Sequence, residues 1–277
     1  MIDDVVRTAD SDLCSFETGD GHLVYRDTGV GQPVVLLHGG FLDHRMWDDQ
    51  VPALAARYRV IAPDTRGHGG SANASRLFRQ ADDVAALLRH LELGPAVLVG
   101  LSMGGGIAVD TALEYPELVR AVVVSGVGTS EPDFQHPWFI GVFTEWERAL
   151  RAGDIEAWLA AFMLLAAGPH RSLDEVPGEI VSRLRQMGRT TIGKHTAAEP
   201  DWRMPVRDTW QRAAQIAVPV LAINGAIDGD DNLRMAERLT CTVADGRTTT
   251  IEGTGHYPNM ERPALFNRLL GEFLDAL

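Results

Sequence analysis

Short apolar runs alternate with amphipathic stretches over the first 126 residues. The runs Pro33–Leu37, Ala96–Val99 and Val119–Val124 are compact and apolar, which is typical of buried strands. Ala81–Leu91 carries apolar residues at helical spacing, and Met103–Tyr115 predicts a helix that ends before a proline. The same pattern predicts two more strands and a helix, at Leu23–Asp27, Tyr58–Ala62 and Arg45–Arg57. Alternating strands and helices indicate an α/β fold, with a mostly parallel central sheet and helices on both faces.

This alternation stops after Gly126. Residues 127–217 contain helical segments, such as Trp146–Leu165 and Glu179–Gly188, and five of the six tryptophans. The strand and helix pattern then returns, at Val218–Ile223, Leu233–Leu239, Thr248–Ile251 and Pro263–Leu274. We therefore expect a core formed by residues 1–126 and 218–277, with residues 127–217 inserted as a helical cap.

Charge and composition narrow the range of partners. The chain has 25 Lys and Arg residues against 38 Asp and Glu residues, a net charge of −13. Such a chain is repelled by phosphate backbones and anionic lipid surfaces, so we expect neither a nucleic-acid nor a membrane partner. The first residues lack an apolar signal segment, and the longest apolar stretch, Trp158–Ala167, is too short to span a bilayer. These features predict a cytoplasmic protein that acts on a small molecule, with assembly into a homo-oligomer left open.

The segment from Gly100 to Gly104 carries the clearest chemical signal. It reads Gly-Leu-Ser-Met-Gly, a G-x-S-x-G motif placed directly after a predicted strand and before a predicted helix. In that context the turn is tight enough to require glycine, and Ser102 lies at the N-terminus of the helix, where negative charge is favoured. We therefore predict that Ser102 is a nucleophile.

A serine nucleophile needs a base and an acid that orients the base. His256 lies in a glycine-rich loop after the last predicted strand, where a base for Ser102 would be expected. Asp228 follows the strand Val218–Ile223 and gives the chain order Ser, Asp, His. The neighbouring Asp230 and Asp231 are the alternatives, and Asp228 is preferred because it is nearest to the strand.

An acyl-transfer site also needs donors for an oxyanion. We expect the N–H of Met103 to be one donor and the N–H of Gly40 to be the other, with Phe41 as the alternative. His38, beside this loop, is interpreted as a buried brace and not as a base. No metal-ligand spacing, dinucleotide motif or phosphate-binding loop is found, so neither a metal nor a cofactor is expected.

Taken together, these segments resemble the α/β-hydrolase fold family. The resemblance covers residues 33 to 260 in the family's order and rests on five strings: His38-Gly39-Gly40, Asp64 to Gly69, Gly100 to Gly105, Gly225 to Asp228 and Gly255-His256. The strings at Asp64 and Gly100 are also similar to those of 3-oxoadipate enol-lactonases and of cofactor-free haloperoxidase-like esterases. The resemblance implies an α/β-hydrolase fold with a cap after the sixth strand, and it implies that Asp64 to Gly69 is a structural turn.

The resemblance also separates functions. Haloalkane dehalogenases and epoxide hydrolases carry an Asp at the position of Ser102, so attack on a carbonyl is favoured here. We expect an esterase or lactonase acting through an acyl-enzyme on a small, largely apolar substrate held by Phe41 and Trp138. One alternative is a C–C bond hydrolase of a ring-cleavage diketone, or a perhydrolase, with the same triad. The other is a non-catalytic ligand-binding protein on this fold.

Overall fold

A computed structural model describes residues 13–196 and 198–277. Its centre is an eight-stranded sheet with the strand order β1-β2-β4-β3-β5-β6-β7-β8. The strands are Leu13–Thr18 (β1), Gly21–Thr28 (β2), Pro33–Leu37 (β3), Arg59–Pro63 (β4), Ala96–Leu101 (β5), Val119–Ser125 (β6), Val220–Gly225 (β7) and Gly246–Ile251 (β8). Only β2 pairs antiparallel, with β1 and with β4, and the other pairs are parallel. The predicted α/β fold with a mostly parallel sheet is confirmed.

Ten α-helices are present in the described residues. They are Val51–Ala55 (α1), Gln80–His90 (α2), Met103–Glu114 (α3), Pro137–Ala152 (α4), Ile155–Ala167 (α5), Gly178–Ile192 (α6), Thr209–Arg212 (α7), Asp230–Thr242 (α8), Pro258–Glu261 (α9) and Pro263–Asp275 (α10). None of the helices in the described part of the chain combines the length and the apolar character that crossing a membrane requires.

The central strands are apolar along their whole length because both faces of the sheet are covered. Every residue of β3 and of β5 is buried. Apolar side chains on one face pack with α1 and α10, and those on the other face pack with α2, α3 and α8. The neighbouring strands β5, β6 and β7 pair in parallel, so their carboxyl ends lie side by side at one edge of the sheet. The loops of the candidate site extend from this edge.

Two predicted helices are interrupted in the structure. The predicted helix Arg45–Arg57 is a 3-10 turn at His44–Trp47 followed by α1. The predicted segment Trp146–Leu165 is divided at Gly153, which has a φ of 67° and ends α4. Asp154 then caps α5 by accepting a hydrogen bond from the N–H of Ala157. A left-handed glycine followed by an Asp cap is a common helix boundary, which the apolar periodicity on either side conceals.

Helices α4, α5 and α6 lie between β6 and β7 in the chain. Helix α5 contacts both α4 and α6, and its buried residues include Trp158, Leu159 and Phe162. The apolar cluster that contains these side chains continues into the sheet through Leu101 and Val123. The inserted helices therefore pack on the sheet edge where β5 and β6 end.

Candidate active site

Ser102 lies at the sharp turn between β5 and α3. Its backbone has a φ of 52° and a ψ of −116°, a conformation rarely found for a residue with a side chain. The turn brings α3 so close to β3 that a Cβ on Gly104 would clash with the carbonyl group of Leu37. The N–H of Ser102 donates to the carbonyl oxygen of Ser125 at 2.8 Å, which joins the turn to the end of β6. The strained geometry holds the Ser102 side chain at the wall of a cavity.

His256 and Asp228 meet beside the end of β6. Nδ1 of His256 lies 2.9 Å from Oδ2 of Asp228, and both side chains are buried. A carboxylate only accepts hydrogen bonds, so Nδ1 carries the hydrogen and Nε2 keeps a free lone pair. A Cβ on Gly126 would lie 2.6 Å from Cε1 of His256, and this glycine has a φ of 63°. The imidazole therefore occupies the space next to β6 where any larger residue would collide with it.

The second oxygen of Asp228 is fixed by two further donors. Oδ1 accepts hydrogen bonds from the N–H of Gly229 at 2.7 Å and from Nδ2 of Asn232 at 3.0 Å. The alternatives Asp230 and Asp231 are engaged elsewhere. Asp230 is exposed, with Oδ1 3.0 Å from Nε2 of His170, and Asp231 accepts hydrogen bonds from two backbone N–H groups that precede α4. Among the three acids, the geometry favours Asp228. Asn232 was not predicted, although its position four residues after Asp228, at the start of α8, is a usable signal.

The loop after β3 faces the start of α3. A Cβ on Gly40 would lie 3.9 Å from Cβ of Met103, and both residues line the cavity together with Phe41. Within the described residues, no protein acceptor receives the N–H of Gly40 or Phe41, and the N–H of Met103 is in the first turn of α3, where helical partners are absent. Phe41 has a φ of 60° and places its ring 4.7 Å from that of Trp158. The structure thus brings together the predicted donors.

The turn from Asp64 to Gly69 and the adjacent His38 are held by internal hydrogen bonds. Nε2 of His38 accepts from the N–H of Thr65 at 3.0 Å, as expected for a brace. Oδ1 of Asp64 lies 2.8 Å from both the N–H and Nδ1 of His44, and Oδ2 accepts from the N–H of Gly70. Asp64, His44 and Asp43 also form a cluster of potential metal ligands. Because each of these side chains already has a protein partner, the cluster is accounted for without a metal.

A cavity of about 730 Å³ opens over Ser102 and His256. Its upper wall is aromatic and is lined by Phe134, Phe139, Phe143, Trp146, Trp158 and Phe162. Trp138, predicted to line the pocket, lies outside this wall and packs edge-on against Phe139. Adjacent helical residues are about 100° apart around the axis, so the face of α4 that carries Phe139, Phe143 and Trp146 directs Trp138 elsewhere.

The arginines of α6 do not reach this cavity. Nη1 of Arg183 binds Oδ2 of Asp49 at 2.9 Å, and Arg185 and Arg189 both pair with Glu156. These three arginines therefore offer no free cation to an acidic group of a substrate. Their ion pairs on the outside of the helices instead join α6 to α5 and to the core.

Polar residues that the sequence analysis had not assigned to the site also line the cavity. His68 lies in the wall near Phe41, and burial lowers its pKa to about 3. Nδ1 of His68 lies 3.1 Å from the carbonyl oxygen of Arg66, so Nδ1 carries the hydrogen of this neutral imidazole. Asp110 and Ser130 form a second polar group farther along α3. The cavity is therefore apolar around its upper wall and polar at separate points.

Lys194, the only lysine, ties the segment after α6 to the core. Its ammonium donates to the carbonyl oxygens of Gly69 at 2.9 Å and of His68 at 3.3 Å. His195 beside it has Nε2 at 2.9 Å from the carbonyl oxygen of Gly67. Backbone acceptors thus bind the Lys194 ammonium, which supports a structural role.

Comparison with known proteins identifies the family. Residues 32–263 match the model of the alpha/beta hydrolase fold. A 2-hydroxy-6-oxononadienedioate/2-hydroxy-6-oxononatrienedioate hydrolase of Burkholderia vietnamiensis is 32% identical over 266 residues, which cover 90% of each chain.

Solved structures agree with this assignment. The esterase RhEst1 from Rhodococcus sp. has a TM-score of 0.79 at 27% identity and covers 95% of this chain and 98% of its own. A bromoperoxidase from Bacillus anthracis has a TM-score of 0.75 at 26% identity and covers 92% and 96%. The resemblance inferred from the sequence motifs is confirmed. The chain belongs to the alpha/beta hydrolase fold family and is an enzyme of the hydrolase class.

Proposed function

We propose that the protein is a serine hydrolase that cleaves a carboxylic ester or lactone of a small, largely apolar substrate through an acyl-enzyme. The observation that carries this proposal is that His256, paired with the buried Asp228, lines one aromatic-walled cavity together with Ser102. A buried apolar cavity with a few polar groups is the usual form of a small-molecule site.

In the proposed mechanism, Oγ of Ser102 attacks the carbonyl carbon while Nε2 of His256 takes the hydroxyl proton. Asp228 holds Nδ1–H of the imidazole and stabilises the imidazolium that forms. The N–H groups of Met103 and Gly40, with Phe41 as the alternative second donor, bind the oxyanion of the tetrahedral intermediate. His256 then gives its proton to the leaving alcohol, and water cleaves the acyl-enzyme by the same route.

We also propose that residues 127–217 act as a cap that selects the substrate. Phe41 contributes to the same surface, because its ring packs against Trp146 and Trp158. The triad, by contrast, lies on the loops after β5, β7 and β8. Changes in the cap are therefore expected to alter substrate preference more than the chemistry.

The proposal is tested by labelling the protein with a fluorophosphonate probe and measuring turnover of simple esters. The wild type should take up one label, and Ser102→Ala should lose both label and turnover while its melting temperature stays near that of the wild type. Ser182→Ala, an exposed serine on α6, is the matched control and should keep both. His256→Ala should lose about as much activity as Ser102→Ala, and the double variant should lose little more, because triad members act as a unit. Ester turnover by Ser102→Ala would contradict the proposal.

A second candidate keeps the triad and changes the bond that is cleaved. The Burkholderia vietnamiensis relative is named as a hydrolase of 2-hydroxy-6-oxononadienedioate and 2-hydroxy-6-oxononatrienedioate, which supports C–C bond hydrolysis of a ring-cleavage diketone. The bromoperoxidase structure supports perhydrolysis in the same way. The test compares kcat/KM for three kinds of substrate: a 2-hydroxy-6-oxo-dienoate, hydrogen peroxide with acetate, and simple esters. The largest value identifies the reaction, and we expect it for an ester.

A further inference from the structure

The cavity continues along α3, away from the nucleophile. Ser102, Gly106, Ile107 and Asp110 follow one another on one face of the helix, and all four line the cavity. Asp110 is eight positions after Ser102 along the helix, which corresponds to a rise of about 12 Å. A substrate bound at Ser102 can therefore extend toward Asp110 through continuous space.

Asp110 is a buried carboxyl group without an ionic partner. Its residue is 8% exposed, and Oδ1 accepts a hydrogen bond from Oγ of Ser130 at 2.6 Å. Across residues 13–196 and 198–277, no cationic side chain forms an ion pair with Asp110, and Oδ2 has no hydrogen-bond donor. Asp110 thus lines the cavity with a carboxyl group that has unused acceptor capacity at Oδ2.

None of the charged neighbours of Asp110 in the ranges that the structure describes supplies a cation that would balance a negative charge on its carboxyl group. Glu114 and Glu131 are the nearby acids, and Arg212 is the nearby base. Arg212 is engaged with Oε1 of Glu114 at 2.7 Å, and Glu131 accepts from the N–H and hydroxyl of Thr209. Burial raises the pKa of Asp110 to about 7, although the Ser130 hydrogen bond opposes that rise. A cationic group in the cavity would replace the missing partner, which a neutral hydroxyl would not do.

We propose that Asp110, supported by Ser130, is a binding site for a protonated amine on the part of the substrate remote from the scissile carbonyl. This inference rests on the proposed function, since it assigns a substrate class to the same cavity. Ser102 determines which bond breaks, and Asp110 selects among esters by the charge of the remote end. No covalent step at Asp110 is involved.

The test uses pairs of esters in which an ammonium group replaces a methyl group of equal size. Methyl 6-aminohexanoate is compared with methyl heptanoate, and 6-aminohexyl acetate with heptyl acetate, so that the acyl and alcohol sides are both sampled. The readout is the ratio of kcat/KM within each pair, because a general loss of activity cancels in that ratio. Asp110→Asn should lower the ammonium-to-methyl ratio at least about tenfold in one of the two pairs, as expected for loss of a charge-assisted hydrogen bond.

A control variant and a pH profile complete the test. Asp174→Asn removes the same charge from an exposed site on the surface and should leave both ratios unchanged. In the wild type, the preference for the ammonium ester should increase as the pH rises through about 7, because only the ionised carboxyl group attracts the cation. Equal ratios in the wild type and Asp110→Asn for both pairs would overturn the inference.

Failure of the inference is distinguishable from failure of the proposed function. If the wild type cleaves the neutral esters, the proposed function stands and the ratios alone decide the role of Asp110. If it cleaves none of the four esters, the proposed function fails and binding of n-hexylammonium, measured by calorimetry, decides instead. Binding to the wild type that weakens at least about tenfold in Asp110→Asn supports the site. Undetectable or equal binding refutes it.

Discussion

Replacing Asp110 by Asn should stabilise the folded protein at neutral and alkaline pH. Burial raises the pKa of this carboxyl group from its ordinary value of 3.8 to about 7. The folded state therefore binds the proton more tightly than the unfolded state, and protonation stabilises the fold. That stabilisation is complete below about pH 4 and is lost as the pH rises toward and through about 7. Asparagine has the same shape, can still bond to the hydroxyl of Ser130, and never ionises.

The size of the effect follows from the two pKa values. A difference of about three pH units corresponds to about 4 kcal/mol, since each unit contributes about 1.4 kcal/mol. This is an upper value, because water in the cavity reduces the cost of the charge. In urea unfolding at pH 5, 6, 7 and 8, the free energy of unfolding of Asp110→Asn should increase relative to the wild type up to about pH 7 and then level off.

The comparison isolates one residue, because other ionisable groups titrate in both proteins and cancel in the difference. Asp174→Asn serves again as the surface control, with a small difference at every pH. A stability difference between Asp110→Asn and the wild type that does not vary between pH 5 and pH 8 would refute the reasoning. So would a variant that is less stable than the wild type at pH 8.

Three further predictions concern the proposed triad and the cavity. Asp228→Asn should lower kcat for ester hydrolysis by about 10³–10⁴-fold by disturbing the imidazole tautomer, whereas Asp230→Asn, at an exposed position, should have little effect. A larger loss of kcat in Asp230→Asn than in Asp228→Asn would identify Asp230 as the orienting acid. Gly126→Ala should abolish turnover, because its Cβ would lie 2.6 Å from Cε1 of His256 at a φ of 63°; wild-type kinetics would show that the loop can move. Trp146→Ala should change the preferred acyl length, with about 1–3 kcal/mol of discrimination for each methylene contact, whereas Trp138→Ala should leave it unchanged. The assay is kcat/KM across a series of acyl lengths. Equal profiles for the two variants would contradict the assignment of the cavity wall.

The central strands and the order of the candidate catalytic residues can be read from the amino-acid sequence. The apolar run of β3 is visible because a strand covered on both faces is apolar throughout. Ser102, Asp228 and His256 could be selected because each lies in the segment that follows a predicted strand, and the carboxyl ends of parallel strands meet at one edge of the sheet. The strand Leu13–Thr18 was missed, since an edge strand with mixed burial has a weak pattern.

Which side chains face the cavity depends on how the helices pack in the folded chain. The direction of a side chain on α4 changes by about 100° with each residue, so periodicity identified an aromatic helix but did not separate Trp138 from Trp146. Arg183 meets Asp49, which lies 134 residues earlier, and that pairing depends on how α6 docks on the core. The isolation of Asp110 likewise depends on Arg212 being held by Glu114. Such features arise from contacts between segments distant in sequence, whose positions are set by the packing of the whole chain and leave no local pattern to read.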